Sequence, residues 1–287
     1  MLVLFVPLVT DNNYVLNVLV YMGIYGILAV GLDITMGLTG LFSLAHAAFY
    51  GMGAYASALL SKVGVPVWLA MAGGVLASVG LGVAVGIPGL RLRGDYLAIV
   101  TLGFAEMFRL ALINWDKVTG GPMGLPGIPR PTLLGHVVSR VGYVYLVWAM
   151  VIMALGVALW LERSQFGRHC KAVRDDEDAA EYLGVNSVVV KVAGFAIGAG
   201  FAGLAGGMYA HYVTFVSPDS FTWSETAVAI CMVVLGGAGT LVGSVFGATV
   251  LTVLTELLRF SLGLRMLLVG LGLVGMMIFR PKGMLGR

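Results

Sequence analysis

Charge is what this sequence has least of. Only 11% of its 287 residues are charged and 59% are hydrophobic, where a soluble domain carries roughly 25% charged residues. A water-soluble fold of this length has too little interior to hide that much apolar surface. The basic residues form no long patch, which excludes nucleic acid as a partner. There are only two cysteines, Cys170 and Cys231. Neither stands in metal-ligand spacing, so they read as free thiols and no metal site is expected. No Gly-x-x-x-x-Gly-Lys-Ser/Thr run is present to cradle phosphates. No Ser/His/Asp arrangement sits near a plausible loop. The chain is therefore not expected to be an enzyme, to hydrolyse ATP or to hold a cofactor. The apolar stretch Leu2–Val9 lacks a basic leader and a clear cleavage site, so it reads as the approach to a first span.

What the sequence has instead is long apolar runs, close to the ~20 residues a spanning helix needs. In lipid the backbone must satisfy its own hydrogen bonds, which leaves helices or a closed barrel. Barrel strands would alternate over ~10 residues, and these runs are continuous. The expected class is all-α: one polytopic helical membrane domain over 1–287. The expected spans are 14–32, 41–60, 66–89, 95–113, 142–161 and 190–211, with two or three more in 225–280. The total is about eight or nine, and nine fits the charge bias better. The stretch 225–258 is long for one helix and is interrupted by Gly236-Gly237-Ala238-Gly239-Thr240. A kink, a re-entrant turn and a loop between two spans all fit. Basic residues mark the cytoplasmic side. They gather in 162–191 and 90–94, and the last span, about 264–279, is followed by Arg280-Pro281-Lys282-Gly283. The opposite side then holds the 114–141 and 212–224 loops.

Glycine is abundant, 42 residues. Runs such as Gly51-Met52-Gly53-Ala54, Gly200-x-x-Gly203-x-x-Gly206-Gly207 and Gly243-x-x-x-Gly247 suit close helix packing in lipid. The stretches 37–54 and 236–248 share a faint glycine-punctuated likeness.

The segment 162–191 holds a large share of the charge. Its basic part is expected to be a helix or turn ending near Arg174. A second short helix starts from Asp175 or Asp176 as N-cap, with Glu177 and Asp178 in its first turn at the positive end of the helix dipole. Gly184 is placed to end it. A solvated loop and a surface helix that transmits force both fit this pattern.

Ionisable residues inside spans tend to face protein or water. Glu106 and Arg109, three apart on one helix, are either a neutralising ion pair or a polar patch near a pathway. His46, with Ser43 nearby, suits packing or hydrogen bonding somewhat better than ligand contact. Asp33 and Asp95 fall at span ends as interfacial caps, with Glu225 and Glu256 near span ends as well. The 114–141 loop, with Trp115 at the interface and the rigid Gly120-Gly121-Pro122 turn, is either structural or a receiver of substrate.

The run Asp178-Ala179-Ala180-x-x-x-Gly184 resembles the Glu-Ala-Ala-x-x-x-Gly loop of bacterial ABC importer permeases, with Asp in place of Glu. The resemblance extends along residues 20–283. Leu41–Tyr55, Leu90–Phe104, Val118–Ile128, Phe201–Gly207, Val234–Thr240 and Arg280–Gly283 are similar, in order, to blocks of the branched-chain amino acid permeases. The Leu-Arg-Leu-Arg-Gly-Asp-Tyr and Thr-Gly-Gly-Pro blocks point to the LivM-type more than the LivH-type subunit. The resemblance implies a multi-pass permease in a bacterial inner membrane, forming half of a pathway for branched-chain or related amino acids. It implies a second, LivH-type permease, two cytoplasmic ATPases that carry the ATP and Mg, and an extracytoplasmic binding protein. Docking of the ATPases would fall on Gly167, Arg168, Arg174, Asp176, Glu177, Asp178, Ala179, Ala180 and Gly184. Candidates along the substrate path are Ser43, His46, Tyr96, Thr101, Glu106, Thr119, Gly120 and Gly121. A same-family permease for urea or short amides, and a stand-alone secondary transporter, are the alternatives.

Overall fold

The structure is a computed structural model that describes residues 12–89, 94–133, 136–257, 270 and 283–285. The expected last span, with Arg280 to Lys282, and the arginines Arg91 and Arg93 lie outside the described residues.

The helices are α1 (Asn13–Asp33), which runs on as a π-helical turn (Ile34–Leu38), α2 (His46–Lys62), α3 (Val67–Gly89) and α4 (Asp95–Asn114). Next come α5 (Arg140–Arg163), α6 (Gln165–Asp175), α7 (Glu177–Tyr182), α8 (Ser187–Val213), α9 (Trp223–Gly236) and α10 (Leu241–Leu257). Five stretches are long and apolar enough to cross a membrane: 13–38, 67–87, 96–114, 140–163 and 187–213. The pair α9 and α10 makes a sixth if taken as one span, although it is bent by 118°. The described residues thus establish a polytopic helical protein with five or six such spans, fewer than the eight or nine expected.

The core is built on small residues. A Cβ on Gly53 would fall on the backbone of Gly203, and one on Gly206 would meet the carbonyl of Tyr50. These contacts lock α2 to α8, and Gly74 and Gly82 seat α3 on the same pair. Close backbone approach lets dispersion hold helices together where lipid offers no hydrophobic drive. Helix α1 is the central post, in contact with α5, α8, α9 and α10.

The loops sort into two ends. Residues 114–133, 136–139 and 214–222 meet at one end, where β1 (Leu125–Pro126) pairs antiparallel with β4 (Phe215–Val216). A hairpin of β2 (Thr132–Leu133) and β3 (His136–Val137) is anchored there by a 3.1 Å bond from Trp68 Nε1 to the Thr132 carbonyl. This is the end expected outside. At the inner end lie the π-turn, α6 and α7. Residues 283–285 also return there, with Met284 N–H bonded to the Leu235 carbonyl at 2.9 Å. Asn17, near the start of α1, lines a cavity at the outer end. Asn17 and residues 283–285 thus lie at opposite ends of the bundle.

Two expected spans differ in form. Residues 41–60 were expected to be one helix, yet 39–45 are irregular and α2 starts only at His46. Lys191, expected in the charged loop, lies in α8 and is buried.

Candidate functional site

The inner-end segment folds as its local chemistry dictates. Ser164 caps α6, accepting from Gly167 N–H. Gly167 is required there, because a Cβ would collide with the carbonyl of Glu162. Asp176 caps α7, its Oδ1 accepting from Ala179 N–H at 3.0 Å. Gly184, at φ 85°, follows the helix in the left-handed region. Cys170, Val173, Ala180 and Val190 form a small core with Leu38 under this segment. Burial pushes the Cys170 thiol up to about 12, which leaves it protonated and unreactive.

Three polar links fasten the segment to the bundle. Lys191 of α8 pairs with Glu177 of α7, both largely buried. Lys171 pairs with Glu162 at 2.9 Å. Arg174 Nη1 donates to the Gly37 carbonyl at 2.8 Å, reaching the π-turn of α1, while its other nitrogens hold Asp175. One turn before Gly37, Asp33 is fully buried and its Oδ1 accepts from Gly239 N–H at 2.7 Å. A chain of contacts therefore runs from α6, through the π-turn, to the bend between α9 and α10. A cleft of about 240 Å³ lies beside it, lined by residues 39–42, Gly94, Arg174 and Lys191 among others.

The proposed docking residues divide by exposure. Ala180 and Gly167 are buried, and Glu177 is tied to Lys191. Arg168, Asp178 and Ala179 are exposed. Leu183, read from the sequence with Ala179 and Ala180 as a shallow apolar face of this helix, is 84% exposed, and Tyr182 beside it, missed in the sequence, is 91% exposed. Two large apolar side chains beside a glycine stop were the available signal.

The path candidates do not form one cluster. Ser43, His46 and Thr101 come together where the chain re-enters the bundle. Thr101 Oγ1 accepts from Leu44 N–H at 3.0 Å and Ser43 Oγ from Ala45 N–H at 3.2 Å. His46 Nε2 donates to the Leu28 carbonyl at 3.2 Å. Leu28 lies ten residues before Leu38, on the order of 15 Å along a helix. Helix α2 thus begins well inside the bundle. Thr226 of α9, absent from the candidates, accepts from Ala47 N–H at 2.9 Å. Nothing local in the sequence marks it.

Glu106 forms the expected ion pair with Arg109 at 2.9 Å, and Arg109 also reaches Asp219 at 3.4 Å. Tyr96 is 72% exposed on the flank of α4, away from this cluster. Thr119, Gly120 and Gly121 are at the outer end. There Thr119 Oγ1 donates to the Leu112 carbonyl at 2.6 Å and stops α4. Both glycines have positive φ.

A profile of the family described as "Branched-chain amino acid transport system / permease component" matches residues 14–279. The high-affinity branched-chain amino acid permease protein LivM of Salmonella typhimurium is 41% identical over 91% of this chain and 68% of its own. LivM of Escherichia coli K12 is 40% identical over the same shares. The autoinducer 2 import permease LsrC of Salmonella paratyphi B is 31% identical over 63% of this chain and 54% of its own. No solved structure matches. The chain belongs to the family of permease components of branched-chain amino acid transport systems, and is a multi-pass protein of the inner membrane.

Proposed function

We propose that this chain forms half of the transmembrane pathway of an ATP-driven importer of branched-chain amino acids. The other half is a LivH-type permease. Of two cytoplasmic ATPases, which bind the ATP and Mg, one docks on α6 and α7 and the other on the partner permease, and a binding protein delivers the amino acid at the outer end. The observation that carries the reading is the construction of α7. It is a two-turn helix, capped at both ends, pinned to α8 by Lys191–Glu177, with Tyr182 and Leu183 presented outward. An ordinary solvated loop needs neither the buried ion pair nor the exposed apolar pair. Movement imposed on α7 passes through α6 and Arg174 to the π-turn of α1. From there it passes through Asp33 to the α9–α10 bend. That route couples ATPase closure to rocking of the helices. The pathway side is where α2 re-enters the bundle between α1, α4 and α9, close to Ser43, His46 and Thr101.

The exposed pair gives the test. Asp176 and Glu177 are poor choices for it, because one is the helix cap and the other is tied to a buried lysine. Leu183→Glu and Tyr182→Ala touch only the presented surface. Each is expected to leave the chain folded, as judged by its thermal melt, while co-purification with the ATPase subunits falls at least tenfold. Uptake of labelled leucine falls with it. Full ATPase binding by both variants would refute the docking assignment. Leucine uptake competed equally well by urea or by autoinducer 2 would refute the cargo.

A further inference from the structure

A second cavity, of about 200 Å³, opens at the outer ends of α1, α5 and α8. It is unrelated to the inner cleft. Its lining includes Asn17, Tyr21, Arg130, Arg140, His211 and Tyr212. Several of the polar groups around it are already engaged. Tyr212 OH donates to Asn17 Oδ1, and Tyr143 OH donates to the Met208 carbonyl at 2.6 Å. His211 is engaged at both nitrogens, by the Pro129 carbonyl at 2.7 Å and by Ser57 Oγ at 2.8 Å. What remains is the positive charge of two guanidiniums, Arg130 and Arg140. Among the described residues no carboxylate lies within ion-pair distance of Arg130 or Arg140, and no carboxylate lines the cavity.

The placement of Arg140 sharpens the point. It is the first residue of α5, and no acidic residue occupies that first turn. A cation at a helix N-terminus meets the positive end of the dipole and is disfavoured there. An anion at the same place is favoured by the dipole and by both guanidiniums, whose fork geometry matches carboxylate and phosphate oxygens. The tyrosine wall suits the membrane interface, where rings sit at the level of lipid headgroups.

We propose that this cavity is an oxyanion site, filled by the phosphate of a lipid headgroup or by a small free anion. The site belongs to this chain alone and does not depend on the transport reading. A ligand that binds only the folded state raises the melting temperature with concentration. The test uses the full-length chain, delipidated in dodecyl maltoside, with melting followed by tryptophan fluorescence. The probes are phosphatidylglycerol in mixed micelles and inorganic phosphate, each compared with chloride at equal ionic strength. At least one probe is expected to give a saturable rise of several degrees, and Arg130→Gln/Arg140→Gln is expected to abolish it. A rise with phosphatidylglycerol alone identifies the lipid source, and a rise with phosphate identifies a free anion. A rise with neither, or an equal rise in the double variant, overturns the proposal. So does loss of the rise in Arg163→Gln/Arg168→Gln, which removes the same charge at the inner end. If the double variant does not fold, Arg130→Gln alone, on an exposed loop, must raise the half-saturating concentration at least fivefold. An unchanged value overturns the site.

Discussion

The protein interrupts its helices twice near the inner end, at residues 39–45 and 237–240, and resolves the two breaks by different chemistry. The wider windows around them, 37–54 and 236–248, share a faint glycine-punctuated likeness in sequence. The first break is an irregular re-entry in which hydroxyls from other helices receive amide groups, Thr101 that of Leu44 and Thr226 that of Ala47 in the first turn of α2. The second is a tight turn with Gly237 and Gly239 at positive φ, held by one carboxylate, Asp33. Backbone that leaves a helix inside a membrane protein must find partners in protein. Hydroxyls provide them weakly and at several points, whereas the carboxylate provides them strongly at one. Arg174 of α6 reaches both breaks: it holds the Gly37 carbonyl, packs against Gly40 and lies beside Gly239. The comparison teaches that a bundle can hold a broken helix in two ways, by several hydroxyls or by a single carboxylate.

That contrast predicts a graded series. Asp33→Ala should have the largest effect. It leaves the half-buried Gly239 N–H without its acceptor, at a cost of about 1–3 kcal/mol, seen as a lowered melting temperature of the purified chain and uptake reduced more than tenfold. Asp33→Asn keeps an acceptor and should recover much of the stability. If the two variants melt alike, the charge rather than the hydrogen bond holds the turn. Gly239→Ala comes next. A side chain at φ 84° costs about 1–2 kcal/mol, and transport should fall with ATPase docking intact. Thr226→Val should cost about 1 kcal/mol, because Ala47 is only 2% exposed and no water replaces the lost hydroxyl. Its signature is an altered apparent KM for leucine with little change in maximal rate. Thr101→Val should be mildest, below about 1 kcal/mol, since Leu44 is only half-buried. A thermal melt that ranked Thr101→Val above Asp33→Ala would erase the distinction between the breaks.

What could be read from the sequence was what is local. The cap at Asp176, the stop at Gly184 and the basic helix ending near Arg174 follow from chemistry within one turn of chain, and each is where it was expected. The Glu106–Arg109 pair is likewise an i, i+3 matter. Hydropathy, by contrast, counts residues and cannot see hydrogen-bond partners. Residues 41–60 therefore looked like one span, because nothing in that window reveals that a threonine 57 positions on receives Leu44 N–H. Thr226 is silent for the same reason, at a separation of 179. Asp33 looked like an interfacial cap because span ends are common places for aspartate, yet its partner is 206 residues away. The interruption at 236–240 was visible, and it separates two helices that meet at a bend of 118°.

The outer pairing of β1 with β4 bears on how motion in this protein can be watched. It staples the loop after α4 to the segment after α8, and Ile128 N–H adds a further bond to the Thr214 carbonyl at 3.2 Å. Met123, 86% exposed, sits just ahead of that staple. A spin label or fluorophore at position 123 is thus mounted on the helix framework. Its distance to a second label on α5 would report tilting of the bundle itself, with loop wobble filtered out by the strand pair beneath it.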